Sequence, residues 1–132
     1  MRIMIDTNVL ISAILFPGSS PTITLQKVIE KHNLVLCSHI IDEVHIVFER
    51  KFPEKIKNLE RFLSKLSYEL VYTPLDIEMN KYPQIRDNGD LPILVSAILA
   101  DVDIIITGDK DFQSIEIEKP IVLTPREFLN IY

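Results

Sequence analysis

The sequence predicts an α/β protein, a three-layer α/β/α sandwich around a central parallel sheet of about five strands. Three observations carry that expectation. The strand candidates are short and apolar throughout, as in Ile104-Ile105-Ile106, where a sheet with one wet face would alternate. Stretches with the apolar spacing of helices separate them. Acidic residues follow strand candidates at Asp6 and Asp109, the end at which open parallel sheets bind their ligands.

Taken in order, Arg2 to Asp6 reads as a buried strand ending on a carboxylate, and Thr7 to Phe16 continues as a helix. Pro17-Gly18-Ser19-Ser20-Pro21 breaks that helix. Thr22 to His32 resumes helical spacing through Leu25, Val28 and Ile29, and Leu34 to Cys37 is a second apolar strand. Ser38 suits an N-cap for a helix reaching about Arg50. Pro53 to Ser67 predicts a further helix and Tyr68 to Tyr72 a strand. Thr73 to Gly89, interrupted by Pro74 and Pro83, is the least regular part of the chain, with room for a short helix over Leu75 to Lys81. Asp90 to Ala100 has a helical pattern, Asp103 to Thr107 is a buried strand, Gly108-Asp109 a turn and Ile121 to Leu123 the last strand. Thr124-Pro125-Arg126-Glu127 is a capping box with proline at the first helical position, opening a helix to Tyr132.

One domain over residues 1–132 is expected, since 47% hydrophobic and 25% charged residues exclude disorder and coiled coil. Cys37 is the sole cysteine, which excludes an internal disulfide and a cysteine-built metal site and points to a reducing, cytoplasmic compartment. No apolar run approaches the roughly 18 residues that span a bilayer. The opening segment reads as a strand rather than a signal sequence, because Asp6 interrupts it. The net charge of −5 is unevenly spread, with +2 on residues 1–66 and −7 on residues 67–132. That balance argues against a nucleic-acid binder with a generally basic face, but suits an enzyme whose acidic centre holds cations.

Asp6, Asp90 and Asp109 sit at strand or helix starts that a parallel sheet brings to one edge. On the helix from Ser38, Ile40, Ile41, Val44, Val47 and Phe48 share one face; Asp42 lies opposite and Glu43 at the edge, able to lean toward the sheet. Singly, each acid has an ordinary structural use as a cap, a turn residue or a surface glutamate. Together at one rim they would repel unless a hard divalent cation neutralised them.

These segments, Ile5-Asp6-Thr7-Asn8-Val9-Leu10, Ser38 to Val44 around Glu43, Asp90 to Ala97, and Ile106-Thr107-Gly108-Asp109-Lys110-Asp111-Phe112, resemble in order the PIN domain family of metal-dependent ribonucleases, in particular its toxin-like branch. The resemblance implies an acidic quartet of Asp6, Glu43, Asp90 and Asp109 binding Mg²⁺ or Mn²⁺, with Asp111 as a further acid. It also implies Asn8 as an amide steadying the first carboxylate, and Thr107 as a hydroxyl beside the last. Where the branch often has several acids in a row, this chain has Arg86-Asp87-Asn88-Gly89-Asp90, so Asp87 or Asp90 is the third ligand; the spacing to Ala97 favours Asp90, leaving Asp87 as a turn or supporting residue. Further implied are an RNA substrate, a small antitoxin partner covering the cleft, and a homodimer.

Carboxylates without histidine or cysteine select Mg²⁺ or Mn²⁺ over zinc, and such ions activate water for attack on a phosphodiester. Candidates for holding RNA are Arg86 and a basic stripe, Lys57, Arg61 and Lys65, recurring every four residues opposite the apolar face of its helix. Both have ordinary readings, as a pair with Asp87 and as a solvated face. His32, His39 and His45 lack the spacing of a helical metal pair and read as surface residues. Two other functions compete: a phosphotransfer domain or phosphatase with Asp6 as phosphoryl acceptor, disfavoured by Asn at position 8, and a binding module of the same fold without catalysis.

Overall fold

Strand β1 (Arg2–Ile5) lies at the centre of a five-stranded, wholly parallel sheet in the order β3-β2-β1-β4-β5, with β2 at Asn33–Cys37, β3 at Glu69–Val71, β4 at Ile104–Ile106 and β5 at Ile121–Leu123. The structure, a computed structural model, describes residues 1–132. Ile3 pairs with Leu34 on one side and Ile104 on the other. Ile3, Met4, Ile5 and Ile104 to Ile106 are fully buried, as strands covered on both faces must be. Each such side chain contributes about 1.5–3 kcal/mol by leaving water.

The helices are α1 (Thr7–Leu15), α2 (Ser20–Lys31), α3 (Ser38–Lys51), α4 (Ile56–Lys65), α5 (Leu91–Leu99), α6 (Lys110–Gln113) and α7 (Pro125–Ile131). They complete the three-layer sandwich expected. No single helix is long and apolar enough to cross a membrane. Helix α5 is apolar nearly all round, six of its nine residues are buried, and Pro92 stands in its first turn, where a missing N–H costs nothing. The capping box at Thr124 and Glu127 forms in both directions, each bond at 3.0 Å.

Several boundaries differ from the sequence reading. Helix α2 starts at Ser20, with Ser19 as its cap, because the Thr22 hydroxyl turns back to the Phe16 carbonyl at 2.8 Å and ties the break to α1. Ser38 is not a cap: β2 runs straight into α3 through Cys37, and the Ser38 hydroxyl accepts from the Thr73 N–H at 2.9 Å. The helix expected from Pro53 opens as a single tight turn, Pro53–Lys55, before α4. Of the short helix over Leu75 to Lys81, only the turn Met79–Lys81 forms. After Gly108 the chain makes α6, capped by Asp109, which the reading as a plain turn missed.

The chain moves outward from β1 through β2 to β3, then returns to the other side of β1 for β4 and β5. Strand order therefore reverses between β1 and β4, and at such a point the loops leaving the carboxyl ends diverge and open a crevice. Asp6 follows β1 and Thr107 to Asp109 follow β4, at that crevice.

Candidate active site

Asp6 is only 5% exposed. It ends β1, where its N–H still donates to the Ile106 carbonyl at 3.0 Å, and it caps α1: its Oδ1 accepts from the backbone N–H of Asn8 at 2.7 Å. The amide that steadies this carboxylate is thus backbone, and the Asn8 side chain is exposed. Oδ2 accepts from the hydroxyl of Thr107, itself fully buried, which in turn accepts from the N–H of Asp109 at 3.0 Å. Burial pushes Asp6 above the ordinary carboxylate range; the Thr107 hydroxyl and the amides of Asn8 and Val9 oppose that rise, and the charge of Asp109 adds to it. Between Asp6 and Asp109 lies a cleft of about 360 Å³, edged by Asn8, Ser12 and Gly108.

Asp90 closes a single turn, Asn88–Asp90, immediately before α5. Its carboxyl is pushed up to about 7, first by burial, then by hydrogen bonding to Asp109, then by the charges of Asp109, Asp87 and Asp6. Its Oδ2 is buried and has no hydrogen-bond partner. Ligand oxygens of Asp87, Asp90 and Asp111 all lie within 4.8 Å of one another. Asp87 serves the turn as well, accepting from the Gly89 N–H at 2.9 Å, and a Cβ on residue 89 would stand 3.2 Å from that same oxygen. Asp111 lies in the first turn of α6, whose cap, Asp109, accepts its N–H at 2.8 Å. Asp90 therefore joins two groups, one with Asp6 and Asp109 and one with Asp87 and Asp111.

Glu43 leans inward at the edge of α3 while Asp42 is exposed, as the helical spacing predicts. Its Oε1 accepts the hydroxyl of Thr7 at 2.7 Å, so the residue after Asp6 fixes the glutamate beside the crevice. Sequence reasoning missed Thr7. The available signal was a threonine directly after Asp6, at the first position of α1. His39 is also more than a surface residue: one turn before Glu43, its Nε2 is buried without a hydrogen-bond partner, 3.5 Å from Glu43 Oε1. His45 bonds the Ile41 carbonyl at 2.9 Å, and His32 packs edge-on against Phe128 and Tyr132, both away from the acids.

Arg86 is exposed, 4.0 Å from Asp111 rather than paired with Asp87. Lys57, Arg61 and Lys65 are exposed on α4. Their helix leads into β3 at Glu69, which pairs with Arg2 at the start of β1. Lys65, at the end of α4, thus lies toward the end of the sheet where the strands begin, whereas Asp6 and Asp109 follow the carboxyl ends of β1 and β4.

A partly buried acid with a stranded, buried oxygen among four other carboxylates is unfavourable as it stands. No histidine or cysteine joins Asp87, Asp90 and Asp111, and oxygen donors at this spacing suit a hard divalent cation. The sequence profile of the family described as PIN domain matches residues 2–111. Among solved structures, one similar chain comes from the crystal structure of VapBC2 from Rickettsia felis bound to a DNA fragment from their promoter. The two superpose with a TM-score of 0.68 at 21% identity, covering 93% of this chain and 97% of that one, a likeness of fold. No curated protein sequence matches the chain. With the profile running from the first residue of β1 to Asp111 in the acid cluster, the chain belongs to the PIN domain family.

Proposed function

We propose that the chain is a divalent-metal-dependent endoribonuclease, a hydrolase cutting RNA phosphodiester bonds, and the toxin component of a toxin–antitoxin pair. The observation that carries this reading is the stranded Oδ2 of Asp90 beside Asp6, Asp109, Asp87 and Asp111. Asp6, Glu43, Asp90 and Asp109 would hold Mg²⁺ or Mn²⁺, with Asp111 as a further acid and Asp87 in support of Asp90. Such an ion, when bound, lowers the pKa of water and offsets charge on a phosphodiester.

The protein's own part is to fix these oxygens in advance. Thr107 orients Asp6 and, through the Asp109 N–H, the start of α6. Thr7 orients Glu43.

The ordered motifs resembling the toxin-like branch support an RNA substrate and an antitoxin partner. That the similar solved chain comes from VapBC2 fits a partnered protein. Phe16 and Ile23, 61% and 47% exposed on the α1–α2 corner, offer apolar surface for such a partner or for a second copy in a homodimer. The cytoplasm is the proposed location, consistent with the reduced Cys37.

Cleavage of RNA by the purified protein tests the activity, with EDTA and with Mg²⁺ or Mn²⁺, alongside Asp6→Asn. Metal-dependent cutting lost in the variant supports the nuclease. Equal cutting by both proteins, or none by the parent with any divalent ion, overturns it and leaves a binding module of the same fold.

A further inference from the structure

Beside the acids, the irregular stretch between β3 and α5 forms a groove of about 680 Å³, nearly twice the cleft between Asp6 and Asp109. Its size falls within the range of small-molecule clefts, about 300–1,000 Å³. The walls combine Tyr82 and Pro83 with the amides of Asn80, Gln84 and Asn88, and with Arg86. No acidic residue lines it, in a protein of net charge −5 and within two residues of Asp87 and Asp90. The groove is therefore not an extension of the cation site.

Its chemistry is that of a planar, polar-edged heterocycle. Tyr82 is half-buried, so its ring direction is set by the protein, and Ile85 next to the groove is only 8% exposed and anchors the loop. Side-chain amides carry both donors and acceptors, which suits the mixed edge of a nucleobase. Arg86 belongs to the groove wall and also lies 4.0 Å from Asp111, so one side chain spans the two regions. Asn88 likewise stands in the turn that presents Asp90. A ligand filling both regions has a base in one and a phosphate at the other.

We propose that this groove receives one unpaired base of an RNA strand next to the cut phosphodiester. Tyr82 stacks on it and Asn80, Gln84 and Asn88 meet its edge, so that the loop sets base preference. A base held in a duplex presents no free face, so the groove favours single-stranded RNA. This rests on the nuclease reading for the position of the phosphate, and its test does not depend on cleavage.

The test is binding of short fluorescent single-stranded RNAs, one for each base, to the cleavage-blocked Asp6→Asn protein, read by anisotropy. Adding Tyr82→Ala is expected to weaken binding about five- to one-hundred-fold, the range of base–aromatic stacking. An oligonucleotide with an abasic site at the sensitive position should show no such loss. Because Tyr82 is half-buried, the exposed pair Asn80→Ala with Gln84→Ala supplies a second variant that spares the core; it should flatten the differences among the four bases. Unchanged affinity with Tyr82→Ala, unchanged base preference with the amide variant, or no RNA binding at all would overturn the groove assignment. Tyr82-dependent binding by a parent protein that cuts nothing would sink the nuclease reading and keep the groove.

Discussion

The Thr107 hydroxyl donates to Asp6 Oδ2 across 101 residues of chain, joining the ends of the two central strands. The Thr107 Oγ1 also accepts from the Asp109 N–H at 3.0 Å, so one buried side chain orders two of the acids. Thr107→Val keeps the shape and removes both bonds. It should cost about 1–3 kcal/mol in urea denaturation, since it strands a buried acceptor and a backbone donor. Thr107→Ser should recover most of that loss.

Asp90 gives a pH dependence whose sign is fixed. Its carboxyl titrates near 3.8 when unfolded and at about 7 in the folded protein, so the folded state binds more protons between those values. Stability in EDTA should therefore be highest at low pH on this group's account and fall as pH rises through about 7. Asp6, also raised, acts in the same direction. Because Asp90 is only partly buried, the loss is on the order of 1–2 kcal/mol after allowance for solvent screening. Denaturation in EDTA from pH 5 to pH 8 should show the fall, Asp90→Asn should flatten it, and Mn²⁺ at pH 8 should reverse it.

Thr7 acts through Glu43. Thr7→Val removes the hydroxyl that Glu43 Oε1 accepts, leaving the carboxylate free to rotate. Metal affinity should fall about 10- to 100-fold, the usual effect of losing a partner that orients a ligand. Titration of Mn²⁺ by calorimetry against the parent and Thr7→Ser would check it, and equal affinities would remove Thr7 from the site.

Arg86 and the α4 stripe separate by salt. Arg86→Ala should weaken RNA binding and reduce the slope of log affinity against log salt by about 0.7, one phosphate contact on a single strand. Replacing Lys57, Arg61 and Lys65 together with Gln should leave slope and fold stability nearly unchanged, because these exposed groups form the solvated face of α4. A larger slope change in the triple variant would place the strand along α4.

The parallel sheet was legible because Met4, Ile5 and Ile104 to Ile106 have no polar face to offer, and Asp6 because it breaks such a run. Glu43 was legible because helix geometry puts it at an apolar edge. What escaped were features that local spacing does not encode. Ser38 looks like a cap until Thr73, 35 residues away, takes its hydroxyl. The four-residue α6 is too short to show a period and exists because Asp109 caps it. Spacing to Ala97 favoured Asp90 over Asp87 without excluding either; in the structure both lie near Asp111, and the buried oxygen without a partner belongs to Asp90.

Anomalous diffraction from crystals soaked in Mn²⁺ addresses the acidic crevice most directly. A peak bound by Asp90 together with Asp6 or Asp109, lost in Asp90→Asn, is the expected result. A crevice without manganese in soaked crystals at pH 8, or manganese bound only elsewhere, would contradict the assignment of these aspartates as a cation site.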